Sequence, residues 1–203
     1  MQEEIKKFLP QFLSQGDSAA LFEEIKNFPK NIDYRFYTER LKEENFILQG
    51  DGIRELPNVQ TPRNEIKSVP SVVLSNTCDI SSENKRLFPS RMLYSPIVRL
   101  DKYISLLEKK TNNKEKIEQH VASIRKQTVT QIFYLPQHGL LDYEGIIFLD
   151  CVTSWPVKAL DTLELVKNKL FTLSDYGFYM FLLKLSVHFT RIRDGIGRGR
   201  VSA

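Results

Sequence analysis

Cysteine, histidine and tryptophan are scarce in this chain: it has two, three and one of them in 203 residues. Cys78 and Cys151 cannot form a disulfide framework and are not in a Cys-x-x-Cys spacing, so nothing points to an oxidising compartment. His120, His138 and His188 have no ligand at zinc-finger or His-Glu-x-x-His spacing, and neither a metal nor a cofactor is expected. There is no long hydrophobic run either. The most apolar stretch, Tyr176 to Phe189, is fourteen residues long and is interrupted by Lys184 and His188, whereas a spanning helix needs roughly 20. It reads as a buried or oligomer-forming helix, with no membrane partner. The start, Met1-Gln2-Glu3-Glu4-Ile5-Lys6-Lys7, has acidic residues where a signal peptide is basic, and a cytoplasmic location is the expectation. No repeat of fixed period is found.

The composition present, 41% hydrophobic and 27% charged, excludes a disordered chain and fits an ordinary globular domain. Charges balance over residues 1–100, so the net +4 falls entirely in residues 101–203. Much of it is terminal: Arg191, Arg193, Arg198 and Arg200 stand against Asp194 alone. Such a tail attracts phosphate or an acidic partner, or else is a solvated end that keeps the chain dispersed.

Apolar spacing predicts two short helices at 2–14 and 17–28, and a charged helix or ordered segment at 34–45. A short strand and tight turn follow over Phe46 to Ile53. Pro57 to Lys67, with two prolines and no apolar period, reads as a loop. Strands are expected at Ser71–Leu74, Met92–Val98, Thr130–Leu135 and Gly145–Val152, the last buried on both faces with Cys151 in the core. Helices at 100–110 and 114–126 form an inserted hairpin. A long helix from about Tyr176 to Arg193 is capped by Ser174 and Asp175 and ended by Gly195, Gly197 and Gly199. That glycine run follows a helix instead of joining a strand to one, which excludes a dinucleotide loop. Together these elements predict an α+β domain: a small β-barrel or strongly bent sheet with N-terminal helices, the hairpin and the C-terminal helix.

Chemistry is most concentrated where the Val69–Leu74 strand ends in Ser75, Asn76, Thr77, Cys78 and Asp79. Strand interiors favour Val and Leu, while short polar side chains compete for the backbone and end strands. A Cys78 thiolate would be a nucleophile only beside a cation, and Asp79 opposes that. The alternative is that Asn76 and Asp79 fold a turn onto their own amides while Cys78 packs inward. On the C-terminal helix Lys184, His188 and Arg191 recur at steps of four and three, forming one row. With the Arg-rich tail this row is a candidate phosphate-backbone contact, or else the one solvated strip of a helix whose apolar sides meet the barrel and a partner.

The order of several pieces resembles the PemK/MazF-like toxin family of small SH3-like barrels: Gln49-Gly50-Asp51, Pro70 through Asn76, Ser95-Pro96-Ile97, then Leu140 through Val152 followed by Leu160-Asp161. The likeness covers residues 46–163, with the helical insertion at about 100–126, an N-terminal extension at 1–45, and the helix and basic tail at 164–203. It implies metal-independent cutting of single-stranded RNA by an arginine before the proline and a hydroxyl residue in the groove. This chain has Val69 where that arginine belongs, so Thr77 with a cation from the Pro57–Lys67 loop, Arg63 or Lys67, is the implied catalytic set. The resemblance therefore points to a nucleic-acid-acting protein of a prokaryotic toxin or defence system. The alternative is a non-catalytic subunit that docks a protein partner, or a second copy, through its C-terminal helix.

Overall fold

The computed structural model describes residues 35–41, 44, 46–60, 64–81, 87–160 and 164–190. The helices expected at 2–14 and 17–28, Arg63, and the tail arginines Arg191, Arg193, Arg198 and Arg200 lie outside the described residues.

Strand β1 (Gly52–Gln60) and strand β2 (Glu65–Val73) form an antiparallel ribbon running from Gly52 opposite Val72 to Gln60 opposite Glu65. This corrects the loop expected from Pro57 to Lys67. Glu65 to Ser68 are exposed, so no buried face imposes an apolar period there. Pro57 is tolerated because strand β8 (Lys169–Phe171) pairs with β1 only at Gly52 and Ile53. Beyond Arg54, whose N–H donates to Asn168 O at 2.8 Å, no strand among the described residues pairs with that side of β1, and a residue without N–H costs little there.

After β2 come a single helical turn, α1 (Thr77–Ile80), then β3 (Arg91–Pro96) and β4 (Val98–Arg99). β3 belongs to a five-stranded sheet of order β7-β3-β2-β1-β8, in which β7 is Thr153–Pro156. β4 belongs to a three-stranded sheet of order β4-β6-β5, with β5 at Ile132–Leu135 and β6 at Gly145–Phe148. Every pairing is antiparallel. The chain changes sheets at Ile97, whose N–H donates to Pro70 O at 2.7 Å. Two apolar clusters result. Ile53, Leu56, Val73, Met92 and Tyr94 fill one beneath the larger sheet, and the other lies around Phe133, Ile146, Ile147 and Phe181.

The inserted hairpin is present as α2 (Leu100–Lys110) and α3 (Lys114–Arg125), and Ile117, Val121 and Ile124 anchor α3 at the three- and four-residue steps read from the sequence. β6 is shorter than expected. Cys151 N donates to Phe148 O at 3.0 Å, closing a turn that leaves Cys151 exposed, not in the core. Beyond β7 and the short α4 (Val157–Leu160), β8 leads to α5 (Asp175–Thr190).

Ser174 Oγ accepts Gly177 N at 3.1 Å, an N-cap that satisfies one free amide of the first turn of α5. Gly177 is required by close approach, since a Cβ there would lie 2.2 Å from Phe36 O. The gap lets residues 36–38 cross α5 and bond with the chain before it, through Ser174 N to Phe36 O and Thr38 N to Thr172 O, both 3.0 Å. One side of α5 buries Tyr176, Met180 and Phe181, while Leu183, Val187 and Phe189 are exposed. No helix among the described residues is long and apolar enough to cross a membrane.

Candidate functional site

At the end of β2 the polar cluster is built around backbone amides. Ser75 Oγ accepts Leu93 N at 2.8 Å, and Ser75 is itself buried. Asn76 Oδ1 accepts Cys78 N at 2.9 Å, capping α1. Thr77 Oγ1 accepts Gln49 N at 3.0 Å, and the Gln49 side chain returns a bond to Leu74 O at 2.8 Å. Two side-chain oxygens, of Ser75 and Thr77, thus tie the strand end to β3 and to the 46–51 turn, and the third, of Asn76, caps α1. Cys78 and Asp79 are exposed, and Cys78 does not pack inward as the turn reading expected.

Lys67 is not brought to this cluster. It stands opposite Asn58 in the outer part of the β1–β2 ribbon and pairs with Glu65 at 3.3 Å. Val73 is six steps further along β2, about 20 Å at the usual rise.

A second polar centre, which the sequence reading did not single out, lies on the other side of β1. Asp51, fully buried, faces Lys169 Nζ at 3.3 Å and accepts Leu48 N at 2.9 Å. Lys169 also donates to Phe46 O at 3.1 Å. Asp51 Oδ1 and Thr172 Oγ1 are buried without a hydrogen bond of normal geometry, although the nearby Thr172 hydroxyl helps hold the carboxyl down. Burial outweighs these contacts and raises the Asp51 pKa above the ordinary carboxylate value.

Above Lys169 and Thr172 opens a cavity of about 130 Å³, also lined by Thr38, Glu39 and His138. His138 Nε2 is 3.5 Å from Glu39 Oε1, and its ring stacks on Tyr37 with centroids 5.0 Å apart. The Tyr37 hydroxyl is fixed on Pro136 O at 2.7 Å, so the platform beneath the imidazole is held at both ends. An imidazole beside a carboxylate, on an aromatic floor and at a cavity, is an arrangement that general acid–base chemistry uses. The one sequence signal was His138 in a Pro- and Gly-bearing loop. Its partner Glu39 is about a hundred residues away in the chain, so spacing could not pair them.

Lys184 is buried and donates to Gln127 O just past the end of α3, so it does not stand in an exposed row with His188. Burial lowers its pKa from 10.5 to about 8. His188 is half-buried and set edge-on to Phe189. Among the described residues no group of three or more His, Cys, Asp or Glu side chains is placed to hold a metal ion. No family model and no curated protein matches this chain.

Proposed function

We propose that this chain is a divergent PemK/MazF-like, SH3-like barrel from a prokaryotic toxin or defence system that works as a non-catalytic interaction subunit. The observation that carries this reading is the use of the strand-end oxygens: Ser75, Asn76 and Thr77 each accept a backbone N–H. With Val69 in place of the family's arginine and Lys67 paired to Glu65 far along β2, neither position supplies the cluster with a cation to stabilise a reacting phosphate. Docking falls to α5, whose Leu183, Val187 and Phe189 are 47%, 42% and 65% exposed and which offers a protein partner an apolar face.

A long single-stranded RNA incubated with the protein in EDTA tests this. Intact RNA is the expected result. A parallel sizing measurement on Leu183→Glu and Val187→Glu distinguishes a heterologous partner from a second copy, because a homodimer would dissociate in the variants.

A second reading, a metal-independent RNA endonuclease, is favoured by the His138–Glu39 pair at its cavity. In that case His138 takes the proton of a ribose 2′-hydroxyl, whose oxygen attacks the adjacent phosphorus. A 2′,3′-cyclic phosphate forms and the departing 5′-oxygen takes up a proton, while Glu39 steadies the imidazolium. RNA cut to cyclic-phosphate ends by the wild type and left whole by His138→Gln would replace the first reading with this one.

A further inference from the structure

We propose that the tip of the α2–α3 hairpin is a docking point for the phosphate backbone of single-stranded nucleic acid. The eight residues Lys109 to Lys116 carry four lysines and one glutamate, a net +3, and with the flanking, exposed Glu108 and Glu118 the stretch 108–118 keeps a net +1. Lys109, Lys110, Lys114 and Lys116 are all exposed. Glu115, the one anion among them, accepts Gln119 Nε2 at 3.2 Å on the helix surface.

The tip is a built turn. Thr111 N donates to Leu107 O at 3.0 Å, Thr111 Oγ1 accepts Asn113 N at 3.3 Å, and Asn113 Oδ1 accepts Lys116 N at 3.0 Å. Buried Leu100 at the start of α2 and Ile117, Val121 and Ile124 on α3 seat the hairpin on the core, so the four exposed lysines stand on a fixed support.

Helix stability accounts for only half of this charge. Lys109 and Lys110 complement the negative end of α2, but Lys114 and Lys116 lie in the first turn of α3, the positive end, where a cation is disfavoured. Four like charges crowded at one turn are relieved by a polyanion. Residues 108–116 are all exposed, as at a projecting turn. A duplex with its persistence length of about 50 nm meets such a tip over a short arc, whereas a single strand bends around it and engages all four lysines.

The inference does not rest on the α5 interface or on either reading of catalysis, because the tip belongs to a different element. Its test is the affinity of the full chain for a single-stranded RNA and a single-stranded DNA over a series of salt concentrations, with a DNA duplex and anionic phospholipid vesicles as comparison ligands. The protein is compared with the Lys109→Gln, Lys110→Gln, Lys114→Gln, Lys116→Gln variant. Both single strands are expected to bind better than the duplex or the vesicles. In the variant the slope of log K against log salt should fall by about 2.8, four contacts at ~0.7 each, which makes its affinity at 50 mM salt less sensitive by about 50-fold across a rise to 200 mM. The circular dichroism spectrum and melting temperature should be unchanged. An unaltered slope, absent binding by the wild type, or tip-dependent binding of vesicles or duplex in preference to single strands would overturn the proposal.

Discussion

The end of β2 and the tip of the α2–α3 hairpin are both dense in polar residues, but they use them in opposite directions. At the strand end Ser, Asn and Thr turn back onto the chain and accept the amides of Leu93, Cys78 and Gln49. At the tip four lysines extend into solvent from a turn whose own amides are held by Thr111 and Asn113. Side-chain length explains much of the difference. A hydroxyl or amide one or two bonds from Cβ reaches the nearest backbone amide, while a four-carbon stem carries its charge beyond it. A cluster of reactive residue types is thus no guide to chemistry until its hydrogen bonds are known.

If the contrast holds, substitutions on the inward side cost stability and substitutions at the tip do not. The largest effect is expected at the buried pair behind the strand end. Lys169→Met removes the cation that faces the buried Asp51, whose carboxyl is then either an uncompensated charge or takes up a proton, and urea unfolding should show a loss of about 3–5 kcal/mol. Next, Ser75→Ala strips the Leu93 N–H of its buried acceptor, for a loss of about 1–3 kcal/mol by the same measurement.

A smaller, pH-dependent effect is expected at Lys184. Its pKa is about 8 in the folded chain and 10.5 ordinarily, so between these values the unfolded chain binds more protons. Stability should therefore rise as pH increases from about 8 towards 10.5, with the cost of the buried charge fully present below that window. Lys184→Met should remove this contribution from the pH profile of the unfolding midpoint. A profile unchanged by the substitution would place the titration elsewhere. The smallest effect belongs to the four tip lysines, whose joint replacement by Gln should stay within about 0.5 kcal/mol of the wild type.

Much of the fold was legible because much of it is periodic. The strands at 132–135 and 145–148, the helical hairpin and the body of α5 bury side chains at the intervals their sequences display. The β1–β2 ribbon was illegible between Pro57 and Lys67, because its outer half buries no continuous face and hides no apolar period. Cys151 looked like core because it follows four apolar positions, but a turn closed on Phe148 outweighs composition at that point. Lys184 looked solvated because lysine ordinarily is, and its burial is made tolerable by the carbonyl of Gln127, 57 residues earlier. Of the candidate sites, the strand-end cluster could be located from sequence but its role could not, since that depends on Gln49 and Leu93. The His138–Glu39 pair was out of reach, because it is assembled from two distant segments laid against β8.

The most direct test of the strand end as a structural device is urea unfolding of Thr77→Ala beside Thr77→Ser. The hydroxyl that accepts Gln49 N is lost in the first and kept in the second. The predicted result is a loss of about 1 kcal/mol for Ala and recovery of most of it by Ser. An Ala variant as stable as the wild type would contradict the account and return Thr77 to the candidates for chemistry.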